Sequence, residues 1–226
     1  MPNTFAANAN AVMAESGFVV PDSYVGNTDQ NIAQLFALAN GVAYSAQEET
    51  WQLLRKTQTY TLTTSTTYPL PTDFGSFIPG TMYQHGRWDM VDIPTNEQVW
   101  ALLNSIVGVA SLPVRARIIA GQLNILNPQS GATLNVEYVS NCPITSASGT
   151  PQQIFLADTD IWLLDDRMFQ LELKWRFKKE KGLDWQSDQI EADTKRAQVR
   201  GRDQGNSHII PNQVGANGEP YANLWA

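Results

Sequence analysis

The chain has 226 residues, 42% of them hydrophobic, 10% aromatic and only 16% charged, with a formal net charge of −7. That length can bury a substantial core in one or two domains, and the acidic balance argues against a duplex-binding surface, which needs clustered Lys and Arg against phosphate. One cysteine, Cys142, excludes an internal disulfide.

No run approaches the roughly 18 apolar residues that span a bilayer, and residues 1–14 lack the basic and apolar regions of a signal peptide. The charged share lies below the usual quarter or so of a soluble protein. Asn, Gln, Ser and Thr fill the gap, a composition that suits a subunit with many neighbours.

Residues 1–28, rich in Ala and Asn with Pro21 and Gly26 near their end, read as an extended arm. Thr28 or Asp29 then offers an N-cap. Ile32, Leu35, Phe36, Ala39, Val42, Ala43, Ala46 and Leu53 follow at spacings of three and four, which predicts a helix to about Lys56. From Thr57 to about Ala157 the pattern is β. Tyr60 and Leu62 alternate with polar residues. Ile118, Ile119, Leu123 and Ile125 flank a turn at Gly121, and Leu134, Val136 and Tyr138 form another alternating run. Thr95 and Gln98 have the spacing of a capping box. Helix returns from Asp160 to Lys181, with Leu164, Met168, Leu171 and Trp175 on one stripe and Gly182 as its stop. A polar helix over Asp184–Arg202 completes an αα-hairpin. Ten of the 15 basic residues lie between Arg167 and Arg202.

Three stretches carry a resemblance. The first is Leu70-Pro71-Thr72-Asp73-Phe74 with Ile78, Thr81, Arg87-Trp88, Pro94 and Gln98-Val99-Trp100. The second is Ile118-Ile119-Ala120-Gly121-Gln122-Leu123 with Asn127-Pro128, Gly131 and Glu137-Tyr138-Val139-Ser140-Asn141. The third, the most specific, is Phe155-Leu156-Ala157-Asp158-Thr159-Asp160, Leu164-Asp165-Asp166-Arg167, Trp175-Arg176-Phe177-Lys178-Lys179 and Lys181-Gly182-Leu183-Asp184. In this order the chain resembles the head-to-tail adaptor family of tailed bacteriophages, which includes the tubular tail protein A group, over about residues 28–204. The long arm and a Gly- and Asn-rich tail depart from the family pattern.

The resemblance implies a virion structural protein of the neck, assembled in the host cytoplasm. About twelve copies would form a ring between the portal protein and the tail or nozzle protein, and double-stranded DNA would pass through without sequence-specific binding. It implies no cofactor, no enzyme activity and no membrane contact. It also implies a portal-docking tail, anchored by Ile209, Ile210, Tyr221, Leu224 and Trp225.

The residues can be read on their own chemistry as well. Asp158, Asp160 and Asp165 stand where strand gives way to helix, and carboxylates there cap free N–H groups. The run Lys174, Arg176, Lys178, Lys179 and Lys181 lies near a helix C-terminus, where cations are favoured. A solvated face is the plain reading of that run, contact with acidic ring neighbours the next, and DNA contact the last. Trp175 and Phe177 leave a helix about 200° apart. Either one fills the core and the other a seam between subunits, or both are core.

Catalytic readings find little to build on. His85 and His208 are the only histidines, no motif surrounds either of them, and neither HExxH nor CxxC spacing occurs. Glu97 reads as a helix-start residue and Glu137 as a strand-surface residue rather than a glycosidase pair. A carbohydrate- or receptor-binding β module is the non-enzymatic alternative, since seven Trp and seven Tyr could stack on sugars.

The expected fold is therefore α+β. A helical bundle from residues 29–56 and 158–204 surrounds an inserted antiparallel β-sandwich or barrel at 57–157, with the arm (1–28) and the tail (205–226) at its ends.

Overall fold

The computed structural model describes residues 3–78, 80–85, 91, 96–105 and 114–205. Among them are five helices and three small antiparallel sheets, an α+β fold.

The expected arm is a helix, α1 (Phe5–Glu15). Thr4 caps it by accepting Ala7 N–H at 3.3 Å. Phe5, Ala9, Val12 and Met13 lie at helical spacing and are all buried. The arm reading fails because that stripe is short and built partly of Ala. Tertiary burial, not propensity, orders a helix this short.

Helix α2 (Gln30–Gln47) starts where expected, with Asp29 accepting Asn31 N–H at 2.7 Å. It stops about nine residues earlier than the periodicity suggested. Trp51 folds back and donates its indole N–H to Ala46 O at 3.0 Å, closing the helix end. The chain then makes one 3-10 turn (Gln52–Leu54) before strand β1 (Arg55–Thr61).

The β region is organised by one long strand. Strands β2 (Thr67–Pro69), β3 (Phe74–Phe77) and β4 (Tyr83–Gln84) precede helix α3 (Glu97–Ser105). Strands β5 (Arg115–Ile119), β6 (Gln122–Leu126) and β7 (Thr133–Ser140) follow it. On one side β7 pairs with all of β1, from Arg55↔Val139 to Thr61↔Thr133, and on the other with β3 and β4. A bulge at Gly75 interrupts the β3 ladder. A Cβ there would stand 2.7 Å from Val139 O, so the position demands glycine.

Strands β5 and β6 form the expected hairpin over Ala120 (φ 51°) and Gly121 (φ 73°), and β2 pairs with β6. Thr95, half of the anticipated capping box, lies outside the described residues, while Asn96 accepts Gln98 N–H at 2.8 Å.

Three short strands, β8 (Ile144–Thr145), β9 (Pro151–Gln152) and β10 (Ile161–Trp162), make the last sheet. Helix α4 (Asp166–Glu180) therefore begins later than Asp160, and residues 156–165 are loop and strand. It ends in a Schellman motif, with Gly182 at φ 67° and Leu183 N–H bonded to Lys178 O at 3.0 Å. Helix α5 (Gln186–Asp203) packs back along α4.

Among the described residues there are two hydrophobic cores. The first joins α1, α2 and α4 with Phe155, Trp162 and Ile144. The second lies within the β region, around Tyr60, Leu62, Leu123, Ile125, Leu134 and Val136. Strand β7 serves both, sending Val139 to the first and Leu134 and Val136 to the second.

Candidate functional site

Helix α4 is the central element of the helical lobe, packed against α1, α2 and α5. Phe177 is fully buried, with its ring edge-to-face on Phe18 at 5.1 Å. Trp175, on the other side of the helix, is half-buried against Trp185, with ring centroids 6.1 Å apart. Of the two readings left open by the sequence, Phe177 is core and Trp175 is at the surface. Lys179 Nζ lies 5.7 Å from the centre of the Trp175 ring and 5.1 Å from that of Trp185, a cation–π arrangement at the hairpin tip. Trp175 donates its indole N–H to Glu172 at 3.0 Å.

The basic run is not a solvated face. Lys174 bridges Glu15 and Asp188, each at 3.1 Å, and Lys178 also pairs with Asp188. Arg176 turns toward α2, donating to Ser45 Oγ at 3.1 Å beside Glu172. Glu172, 3% exposed, also receives Arg196 at 3.1 Å, and Arg196 reaches Glu49 at 2.8 Å. Burial works against the charged form of Asp188, but Lys178 and Lys174 outweigh it and hold its pKa below the ordinary value. Lys181 Nζ donates to Asn31 and Gln34 of α2. These cations fasten α4 to its neighbours. Lys179, exposed on its aromatic seat, is the member of the run best placed to meet a partner.

The three aspartates divide the work differently than expected. Asp165 caps α4, accepting Met168 N–H at 2.8 Å, and pairs with Lys195 at 3.1 Å. Asp160 is 2% exposed and accepts Leu156 N–H at 2.6 Å and Ala157 N–H at 2.8 Å, which closes the loop before β10. Asp158 accepts the N–H groups of Tyr24 (3.1 Å) and Val25 (3.0 Å). Neither of these two carboxylates caps α4. Instead their backbone carbonyls take the first N–H groups of α1, Phe5 to Asp160 O at 2.7 Å and Ala6 to Asp158 O at 3.0 Å. Asp165→Ala is expected to lower stability by about 1 kcal/mol, the usual worth of an N-cap, read as a shifted urea midpoint at unchanged slope.

One cluster escaped the sequence reading. Asp73, 6% exposed, accepts Tyr138 Oη at 2.9 Å, Ser140 Oγ at 2.9 Å and Lys56 Nζ. It sits beside β7 where the two cores meet. Burial alone would raise its pKa, but the hydrogen bonds from Lys56, Ser140 and Tyr138 overcome this and hold it below the ordinary carboxylate value. Nearby Cys142 is buried, and that burial raises its thiol pKa, away from the reactive thiolate.

Glu97 pairs with Arg117 at 3.1 Å and Glu137 with Arg55 at 2.7 Å, both as surface ion pairs. His85 is exposed. Among the described residues no group of three or more His, Cys, Asp or Glu side chains is placed to hold a metal ion, and no helix is long and apolar enough to cross a membrane. His208 and the expected portal anchors Ile209, Ile210, Tyr221, Leu224 and Trp225 lie outside the described residues. No protein-family model matches the chain, and no curated protein matches it in sequence.

Proposed function

We propose that the protein is a head-to-tail adaptor of a tailed phage, a non-enzymatic subunit of a ring of about twelve copies between portal and tail. The observation that carries this reading is the coincidence of motif and architecture. The stretch from Phe155 to Asp184, the most specific part of the resemblance, is also the structural centre of the helical lobe, with Phe155, Phe169 and Phe177 fully buried and Asp160 and Asp165 each holding backbone N–H groups. On this reading the helices form a bundle that builds the ring and flanks the channel. The β region is an inserted sandwich- or barrel-like domain that projects outward or tailward. The Trp175–Trp185–Lys179 surface faces a neighbouring subunit, where a half-exposed aromatic pair beside a cation is a good anchor. A charge of −7 per subunit makes the assembled ring strongly acidic, which keeps passing DNA from adhering.

Three of the five described tryptophans, Trp51, Trp100 and Trp162, are buried at 9% exposure or less, which removes them as sugar-stacking platforms and weakens the carbohydrate-binding alternative.

The test is to mix the purified protein with its cognate portal ring and measure mass and symmetry by native mass spectrometry and negative-stain microscopy. One collar of about twelve copies per portal is expected, and deletion of residues 206–226 should abolish binding while the shortened chain still unfolds in one cooperative transition. No association with an intact portal ring would overturn the adaptor reading.

A further inference from the structure

Among the described residues, no strand pairs with the outer edge of β1. Ile78 N–H to Glu137 O (3.1 Å) and His85 N–H to Thr133 O (2.8 Å) show that the odd residues of β7 face β3 and β4. Its even residues therefore face β1, where they meet Lys56, Gln58 and Tyr60. Thr57 and Thr59 consequently point their N–H and C=O groups away from the sheet. Among the described residues the only hydrogen bond reaching these groups is from Gln58 Nε2 to Thr59 O, at 3.1 Å. Proteins rarely leave such an edge uncovered.

The position of α5 indicates what covers it. Asp203, its last residue, accepts the N–H groups of Gln52 and of Leu53 (2.9 Å), the turn that leads into β1. Gly205, two residues further on, is the last described residue and has φ 61°. From this starting point, a segment that followed the β1 edge would run parallel to β1. The seven residues of β1 occupy roughly 23 Å at about 3.3 Å per residue, so residues 206–214 suffice, and so short a closure costs little entropy. That segment carries Ile209, Ile210 and Val214, all strand formers, and Pro211 is tolerated on an outermost strand. Neighbouring strand residues face opposite sides, so in either register one of the two isoleucines falls on the Tyr60 side of the sheet.

We propose that the outer edge of β1 is the docking site of the chain's own C-terminal segment, residues 206–214, which adds to it as a parallel strand. The docking stands or falls apart from the adaptor reading. Together the two imply that the portal must lift Ile209 and Ile210 off β1.

The experiment is residue-resolved amide hydrogen exchange by NMR on the full chain and on the double variant Ile209→Pro, Ile210→Pro, which removes strand donors in either register without touching a described element. Exchange at Thr57 and Thr59 is expected to accelerate about 10-fold or more in the variant, with Lys56, Gln58 and Tyr60 unchanged because β7 holds them. Equal rates at Thr57 and Thr59 in the two proteins would overturn the proposal. So would protection that disappears on dilution, since it would assign the strand to a second copy.

Discussion

Phe5→Ala is expected to cost about 4 kcal/mol, read from the urea midpoint at unchanged slope, as large a loss as that of any single core phenylalanine. The ring is fully buried and lies 4.6 Å from Phe155, 5.5 Å from Tyr24 and 5.6 Å from Phe36, centroid to centroid. Its removal leaves a void among side chains contributed by three separate segments, which cannot all collapse into it. It also loosens the seating of α1, whose first N–H groups rest on the 158–160 carbonyls. The matching control is Val19→Ala, at a side chain 88% exposed, which should change stability by less than about 0.5 kcal/mol. A Phe5→Ala loss as small as the control's would mean that the first helix contributes nothing to the core.

The second large effect belongs to Asp73. Asp73→Ala removes the acceptor shared by Tyr138 and Ser140, leaving two buried hydroxyls to find other partners, and is expected to cost about 3 kcal/mol. Lys56 contributes little of this, because its side chain is 41% exposed and its charge is screened. The loss should depend on pH with a definite sign. Because the folded pKa lies below the ordinary value of 3.8, the carboxylate contributes its full stability above that value. The contribution is lost as pH falls through the folded pKa. Wild-type and Asp73→Ala stabilities, compared by urea unfolding from pH 7 down to pH 2.5, should differ by a constant amount until about pH 4 and converge below it. A gap that stays constant to pH 2.5 would show that ionisation of Asp73 is irrelevant.

The elements legible from sequence are those whose burial is written in local periodicity. The stripe Ile32, Leu35, Ala39, Val42, Ala43 and Ala46 is all buried. Leu134, Val136 and Tyr138 alternate inward along β7, and Gly121 and Gly182 both adopt the positive φ that their turns require. What was not legible depends on partners far along the chain. Helix α1 has a real stripe, but only the distant Phe155 and the 158–160 carbonyls make it worth forming. The basic run looked like a surface because Glu15 and Asp188, which engage it, lie at least ten residues from the cations they meet. Asp73 offered no local sign of Tyr138 and Ser140, 65 and 67 residues downstream. The carboxylates of Asp158 and Asp160 were correctly read as binding backbone N–H groups, but those groups belong to loops and not to the helix that follows.

Strand β7 also has a mechanical consequence. Because it contributes to both cores and is zipped to β1 along seven residue pairs, the helical and β lobes have no hinge between them at this strand. A pull along β7 that tends to slide it past β1 loads these rungs in shear, all at once, instead of peeling them one by one. The subunit should therefore yield at its boundaries with other molecules before it yields between its lobes. In a single-molecule pull along that axis, both lobes would unfold in one event.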